Sequence, residues 1–249
     1  MDVSLILLVL CVVFLGSLTR AIFGFGDSVV AMPLLALLPL PLHTSISLIG
    51  LMGLTVAIFT VLKGWKKIDR SVLLILSIST LVGIPIGLYL VTAVSQSTVT
   101  RILGVFLLFY GVYSLIKQRF HMELPEKIKS SRWLPVPFGF LAGMLGSAYN
   151  MNGIPIVVYG TFRDWDMEVF MGTLQTHFVI SSSFIILGQA LGGLWSPDLY
   201  SLYFLSIPVI FFASKIGLAI QRKISVHRFE TLLFLFIVFL GGMLFSSSS

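Results

Sequence analysis

The chain has 249 residues, of which 57% are hydrophobic and only 10% charged, with a mean hydropathy of +1.04. Soluble domains carry about a quarter charged residues, so this composition excludes a protein whose whole surface faces water. The formal net charge of +6 comes from bases gathered in short stretches between apolar runs, a membrane-orientation pattern and not a nucleic-acid footprint.

The first apolar stretch, 3–23, follows Met1-Asp2 without a basic leader, so it is expected to persist as a helix and not to be removed as a signal peptide. It holds Cys11, the chain's single cysteine, which leaves no internal disulfide or cysteine metal cluster to consider. Cys11 is expected to pack as a small apolar residue. Arg20 lies near the end of this stretch, and Gly24-Phe25-Gly26-Asp27-Ser28 interrupts it. A second run, 28–38, is about half a membrane span, since a crossing needs roughly 20 helical residues. Runs at 44–62, 72–94 and 101–116 are full or nearly full spans.

The second series begins at 134–148, breaks at Asn150-Met151-Asn152-Gly153, and resumes as another half-span at 154–162. Runs at 168–193, 199–220 and 228–246 complete it. Short apolar segments after polar, glycine-containing breaks mark discontinuous or re-entrant helices. The expected architecture is therefore an all-α integral membrane protein. Residues 1–117 form one transmembrane repeat, 118–133 a basic linker and 134–249 a second repeat. Each repeat is a broken or re-entrant pair followed by three transmembrane helices.

Thirteen of the sixteen Lys and Arg residues lie in loops 63–70, 117–133 and 221–228 or at Arg163. Loops 39–43, 95–100 and 194–198 have none. The basic loops are expected on the cytoplasmic side of a cell (inner or plasma) membrane, which gives the two repeats opposite orientations. Short matches agree with a repeat. Gly83-Ile84-Pro85-Ile86-Gly87-Leu88 resembles Ala213-Ser214-Lys215-Ile216-Gly217-Leu218. Thr98-Val99-Thr100-Arg101 resembles Ser225-Val226-His227-Arg228, with Thr98 and Ser225 as expected N-caps.

The breaks are the strongest candidates for function. Gly24, Phe25, Gly26, Asp27 and Ser28 bring backbone N–H groups to the start of one half-helix. Asn150, Asn152 and Gly153 do the same for the other. Two helix N-termini would favour an anion without a fixed positive charge. Close helix packing is the alternative reading of these glycines. Arg20 could bind the anion or pair with Asp27, and it could equally snorkel to the headgroups. Asp27 and His177 are the proton-coupling candidates, and Gln175 could line a pathway with His177. For Asp27 the alternatives are a permanent pair with Arg20 or an N-cap. For His177 the alternative is a hydrogen-bonded structural histidine. Lys215 is expected to snorkel to the headgroups, and Arg101 and the four tryptophans to anchor span ends.

Arg20-Ala21-Ile22-Phe23-Gly24-Phe25-Gly26, followed by Pro33-Leu34-Leu35, resembles the first motif of the TauE/SafE family, the sulfite-exporter-like anion transporters. Asn150 to Tyr159 resembles the family's second motif, and Phe170 to Phe178 also fits. Asp27-Ser28 departs from the glycine or apolar residues of many members, and Ile154 stands in place of a proline. The resemblance implies export or uptake of a small sulfur-containing or organic anion, driven by a proton or sodium gradient. No cofactor and no metal site are implied. The partners are the anion, the coupling ion and the lipid bilayer, with no nucleic acid; a homodimer is an assembly open to it.

An anion channel is the nearest rival, because it would use the same breaks and dipoles. A membrane-embedded enzyme is the other. His43, His121, His177 and His227 have no ligand spacing to one another, and there is no Gly-x-Ser-x-Gly elbow or Walker loop.

Overall fold

A computed structural model describes residues 2–62, 67–119, 129, 131–163, 165–221 and 226–247, and every regular element among them is helical. Ten helices are described: α1 (Val3–Phe23), α2 (Asp27–Ala36), α3 (Leu42–Leu62), α4 (Arg70–Ala93), α5 (Gln96–Arg119), α6 (Pro135–Tyr149), α7 (Gly153–Phe162), α8 (Met167–Leu191), α9 (Pro197–Gln221) and α10 (Val226–Ser247). Each apolar run in the sequence became one helix, because a backbone in hydrocarbon must satisfy its own hydrogen bonds. Helices α1, α3, α4, α5, α8 and α9 are long and apolar enough to cross a membrane. Helices α2 and α7 have 10 residues each, a rise of roughly 15 Å, half the hydrocarbon thickness.

The burial pattern is that of a protein dissolved in lipid. Leu7, Phe59, Leu74, Phe109, Phe204 and Phe239 stand exposed, while Ser17, Ser47, Thr80, Ser147, Gln175 and His177 are buried. Cys11 lies on the exposed face of α1 and not in the packing position expected of it. Facing lipid costs so small an apolar side chain nothing.

The helices fall into two compact units. The first holds α1, α2, the start of α3 up to Ser45, α5, α9 and α10. There α1 packs on α2 and α9, and α2 also touches α5 and α10. Helices α5 and α10 run antiparallel, Gly104 opposite Gly241 and Gly111 opposite Phe234. The crossing is reciprocal: a methyl on Gly104 would lie 2.9 Å from the Gly241 carbonyl oxygen, and one on Gly241 would lie 2.9 Å from that of Gly104. On α9, Gly217 meets Ala21 and the Leu18 carbonyl of α1.

The second unit holds α3 from Ile46, with α4, α6, α7 and α8. Helices α4 and α6 run parallel in backbone contact. A side chain at Gly83, Gly87 or Gly143 would overlap the carbonyl of Phe140, Met144 or Thr80, the close approach that small residues allow between membrane helices. Helix α8 is parallel to α4, as the Thr80–His177 and Leu88–Gly188 contacts require. It is antiparallel to α3, since Gly50 meets Gln189 while Lys67 pairs with Glu168. The amino-terminal ends of α4, α6 and α8 thus share one end of the unit. Arg163 donates to the Lys129 carbonyl there at 2.9 Å. The Asp69 N–H donates to Thr173 Oγ1 at 3.1 Å.

Each unit draws helices from both sides of the 118–133 linker. Ser95, and not Thr98, caps α5: the Ser95 hydroxyl accepts from the Thr98 N–H at 3.3 Å, and helix begins at Gln96. Thr98 falls inside the first turn and hydrogen-bonds Ser95 from there. Lys63, Trp65, Lys66, Lys127, Arg222, Lys223 and Ser225 lie outside the described residues, as do the side chains of Lys117, Arg119, His227 and Arg228.

Candidate functional site

In the first unit, α1 ends at Gly24 with φ 81° and α2 begins after Gly26 with φ 91°. Both are left-handed conformations that a Cβ disfavours, and they turn the chain within three residues. The Gly24 N–H closes α1 on the Arg20 carbonyl at 2.7 Å. Asp27 is then the first residue of α2 and makes no side-chain cap, contrary to the capping alternative. Its Oδ2 accepts from Arg20 Nη1 at 2.8 Å. Arg20 and Asp27 are 6% and 7% exposed, so the pair is buried and charge-balanced. Asp27 also sits at the positive end of α2, where a carboxylate is favoured. Ser28 is buried behind it. Phe23, Phe25 and Gly26 line a small apolar cavity with Tyr110 of α5 and Phe234 of α10.

In the second unit, α6 ends at Asn150, which takes the left-handed conformation at φ 56°. The Asn150 N–H reaches the Gly146 carbonyl and the Met151 N–H the Leu145 carbonyl, at 2.8 and 3.1 Å. Asn150 therefore belongs to the carbonyl end of α6. Its Nδ2 donates to the Ile46 carbonyl of α3. Asn152 is at the N-cap of α7, but its side chain does not cap; Nδ2 donates to Ser181 Oγ of α8 at 2.8 Å. Gly153 opens α7, and no acidic residue stands in its first turn.

Gln175 and His177 are both buried on α8. The Thr80 hydroxyl lies 3.0 Å from both the Gly139 carbonyl oxygen and His177 Nε2. When the hydroxyl donates to the carbonyl, it receives the Nε2–H of His177. Nδ1 is buried without a hydrogen-bond partner among the described residues. The structure thus brings Arg20, Gly24, Phe25, Gly26, Asp27 and Ser28 together in one unit. Asn150, Asn152, Gly153, Gln175 and His177 lie in the other.

Lys215 is exposed on α9 with Nζ 4.3 Å from the centroid of Phe211. Arg101 is exposed at the start of α5. Trp165 is half-buried edge-on to Tyr159. Sequence reasoning did not single out Gly50, Thr80 or Ser181. The run Ser77-Ile78-Ser79-Thr80 inside an apolar helix was the available signal for Thr80.

The family model described as Sulfite exporter TauE/SafE matches residues 8–244 of the chain. No curated protein and no solved structure matches it.

Proposed function

Because the chain belongs to the sulfite exporter TauE/SafE family, we propose that it is a secondary transporter of a small anion. The family is one of membrane transporters, and the chain is a multi-pass membrane protein. The cargo on this reading is sulfite, a sulfonate or a related sulfur-containing or organic anion, moved by alternating access and coupled to an ion gradient.

The observation that carries the reading is the start of α7. A half-length helix opens at buried Asn152, with a glycine first and no acid in its opening turn. Such an N-terminus offers backbone N–H groups and a positive partial charge to an anion. Helix α2 has the same length of 10 residues, but it starts after the left-handed Gly26, with Asp27 and Arg20 balancing each other beside it. Gln175 completes the set of substrate-contact candidates.

An inverted repeat is supported by two features within units. The last helices of the two halves, α5 and α10, cross antiparallel and reciprocally at Gly104 and Gly241. Further, α9 packs Gly217 on α1, and α4 packs Gly83 and Gly87 on α6, the fourth helix of one half against the first of the other. The basic residues at the amino-terminal ends of α4, α6 and α8 support a cytoplasmic assignment for that end. For coupling, Asp27 is held by Arg20, which leaves a proton at His177 Nδ1 or a sodium ion.

The test is uptake of radiolabelled sulfite, thiosulfate, sulfonates and small carboxylates into proteoliposomes, under imposed pH and sodium gradients. Saturable, gradient-driven uptake of one anion is expected. Non-saturating flux indifferent to both gradients would assign a channel, and flat uptake of every anion by folded protein would end the anion reading.

A further inference from the structure

The second unit contains a cluster of oxygen atoms that an anion would avoid. A methyl built on Gly50, in the middle of α3, would lie 2.9 Å from Asn150 Oδ1 and 3.2 Å from Gln189 Oε1. Two amide oxygens from α6 and α8 therefore converge on a position of α3 that carries no side chain. Their orientation is set by hydrogen bonds on the opposite side of each amide. Asn150 Nδ2 donates to the Ile46 carbonyl, and Gln189 Nε2 donates to the Ser147 carbonyl at 3.4 Å. Turning either amide over would set oxygen against oxygen, so the acceptor ends face Gly50.

Gln189 is 0% exposed, and its Oε1 has no hydrogen-bond partner among the described residues. A buried acceptor left without a donor costs free energy, so the arrangement asks for an electropositive occupant. Helix α6 supplies the matching field: Asn150 is its C-cap, so the cluster sits at the negative end of that helix dipole. One turn before Gly50 on α3, Ser47 is fully buried with an Oγ that also lacks a partner.

We propose that Asn150 Oδ1 and Gln189 Oε1, facing Gly50, bind a small monovalent cation of sodium type. Hard cations take oxygen ligands, and a divalent ion would need carboxylates, which this neutral set does not offer. Carbonyl oxygens at the broken end of a helix suit a partly dehydrated monovalent ion. Asn150 then serves the cation, and recognition of the anion falls to Asn152 and Gly153 across the same break. The role of the ion as driver of transport rests on the transporter reading, whereas its binding does not.

The experiment is equilibrium binding of radioactive sodium to purified protein in detergent, with potassium and choline chloride as competitors and no anionic substrate present. Wild type should bind sodium saturably, with choline ineffective. Gly50→Ala places a methyl among the oxygens, and Gln189→Leu removes one of them. Each should weaken binding by at least about tenfold, the scale of losing a contact at a metal site, while the helical circular dichroism is kept. Absence of saturable sodium binding by folded wild type would overturn the proposal, as would binding unchanged in both variants. The amide oxygens would then only pack against the Gly50 Cα hydrogens. Either result leaves the anion-uptake assay standing, so the two readings fail separately.

Discussion

At the first break, Asp27 is the opening residue of α2 and Arg20 lies across from it, both buried. At the second, the opening residue of α7 is Gly153, and the flanking polar groups are the neutral amides of Asn150 and Asn152. The backbone solution is shared, a left-handed residue at the end of the first helix and a 10-residue helix after it. The electrostatics are not. The positive end of α2 already faces a carboxylate that belongs to the chain, while the first turn of α7 has none. A similar bend can therefore carry a structural ion pair in one unit and a recognition surface in the other.

That contrast can be broken most forcefully at Asp27. Asp27→Ala leaves the Arg20 guanidinium buried without its carboxylate and should destabilise the first unit by about 3–5 kcal/mol. Thermal unfolding in detergent measures it, and the double change Arg20→Met with Asp27→Leu should recover most of the loss. A single variant as stable as wild type would deny the pair its structural role.

Asn152→Ala tests the other side. If the anion is recognised at α7, uptake should fall about tenfold to a hundredfold, the scale of a hydrogen bond to a charged group. Ser28→Ala at the charge-balanced break should change uptake by much less. Equal losses in the two variants would erase the distinction between the breaks.

Two smaller effects compare the turns. Gly26→Ala forces a Cβ into the left-handed region at φ 91° and should cost about 1–2 kcal/mol of stability. Asn150→Gly, measured without sodium, keeps a residue suited to φ 56° and should cost only a few tenths of a kcal/mol for the backbone, beyond whatever the Ile46 hydrogen bond contributes. A large loss there would mean that the Asn150 side chain holds α6 to α3.

Much of the fold was legible because hydrophobic length is a property of consecutive residues. The runs at 3–23, 72–94 and 199–220 became α1, α4 and α9 with ends shifted by a few residues at most. The half-spans were legible for the same reason, since Gly24–Gly26 and Asn150–Gly153 interrupt apolar runs visibly. Side-chain roles were less so. In the sequence Arg20 fits anion binding, pairing or snorkelling and Asp27 fits proton exchange, pairing or capping, and only the turn at Gly24 and Gly26 puts the two side chains 2.8 Å apart. Thr98 resembled a cap by its match to Ser225, but Ser95 lies one turn earlier, and the helix took it.

What the sequence by itself determined is the solvent, the number of described apolar helices, which of them are half-length, and the positions of the two breaks. All of these follow from local composition measured against the thickness of a bilayer. Only the tertiary structure decided that Thr80 holds His177 at Nε2, that α5 and α10 cross at paired glycines, and that the amides of Asn150 and Gln189 turn their oxygens toward Gly50. Those facts depend on carbonyls and glycines that lie far away in sequence. An amide or an imidazole carries no mark of which atom its distant neighbour will engage.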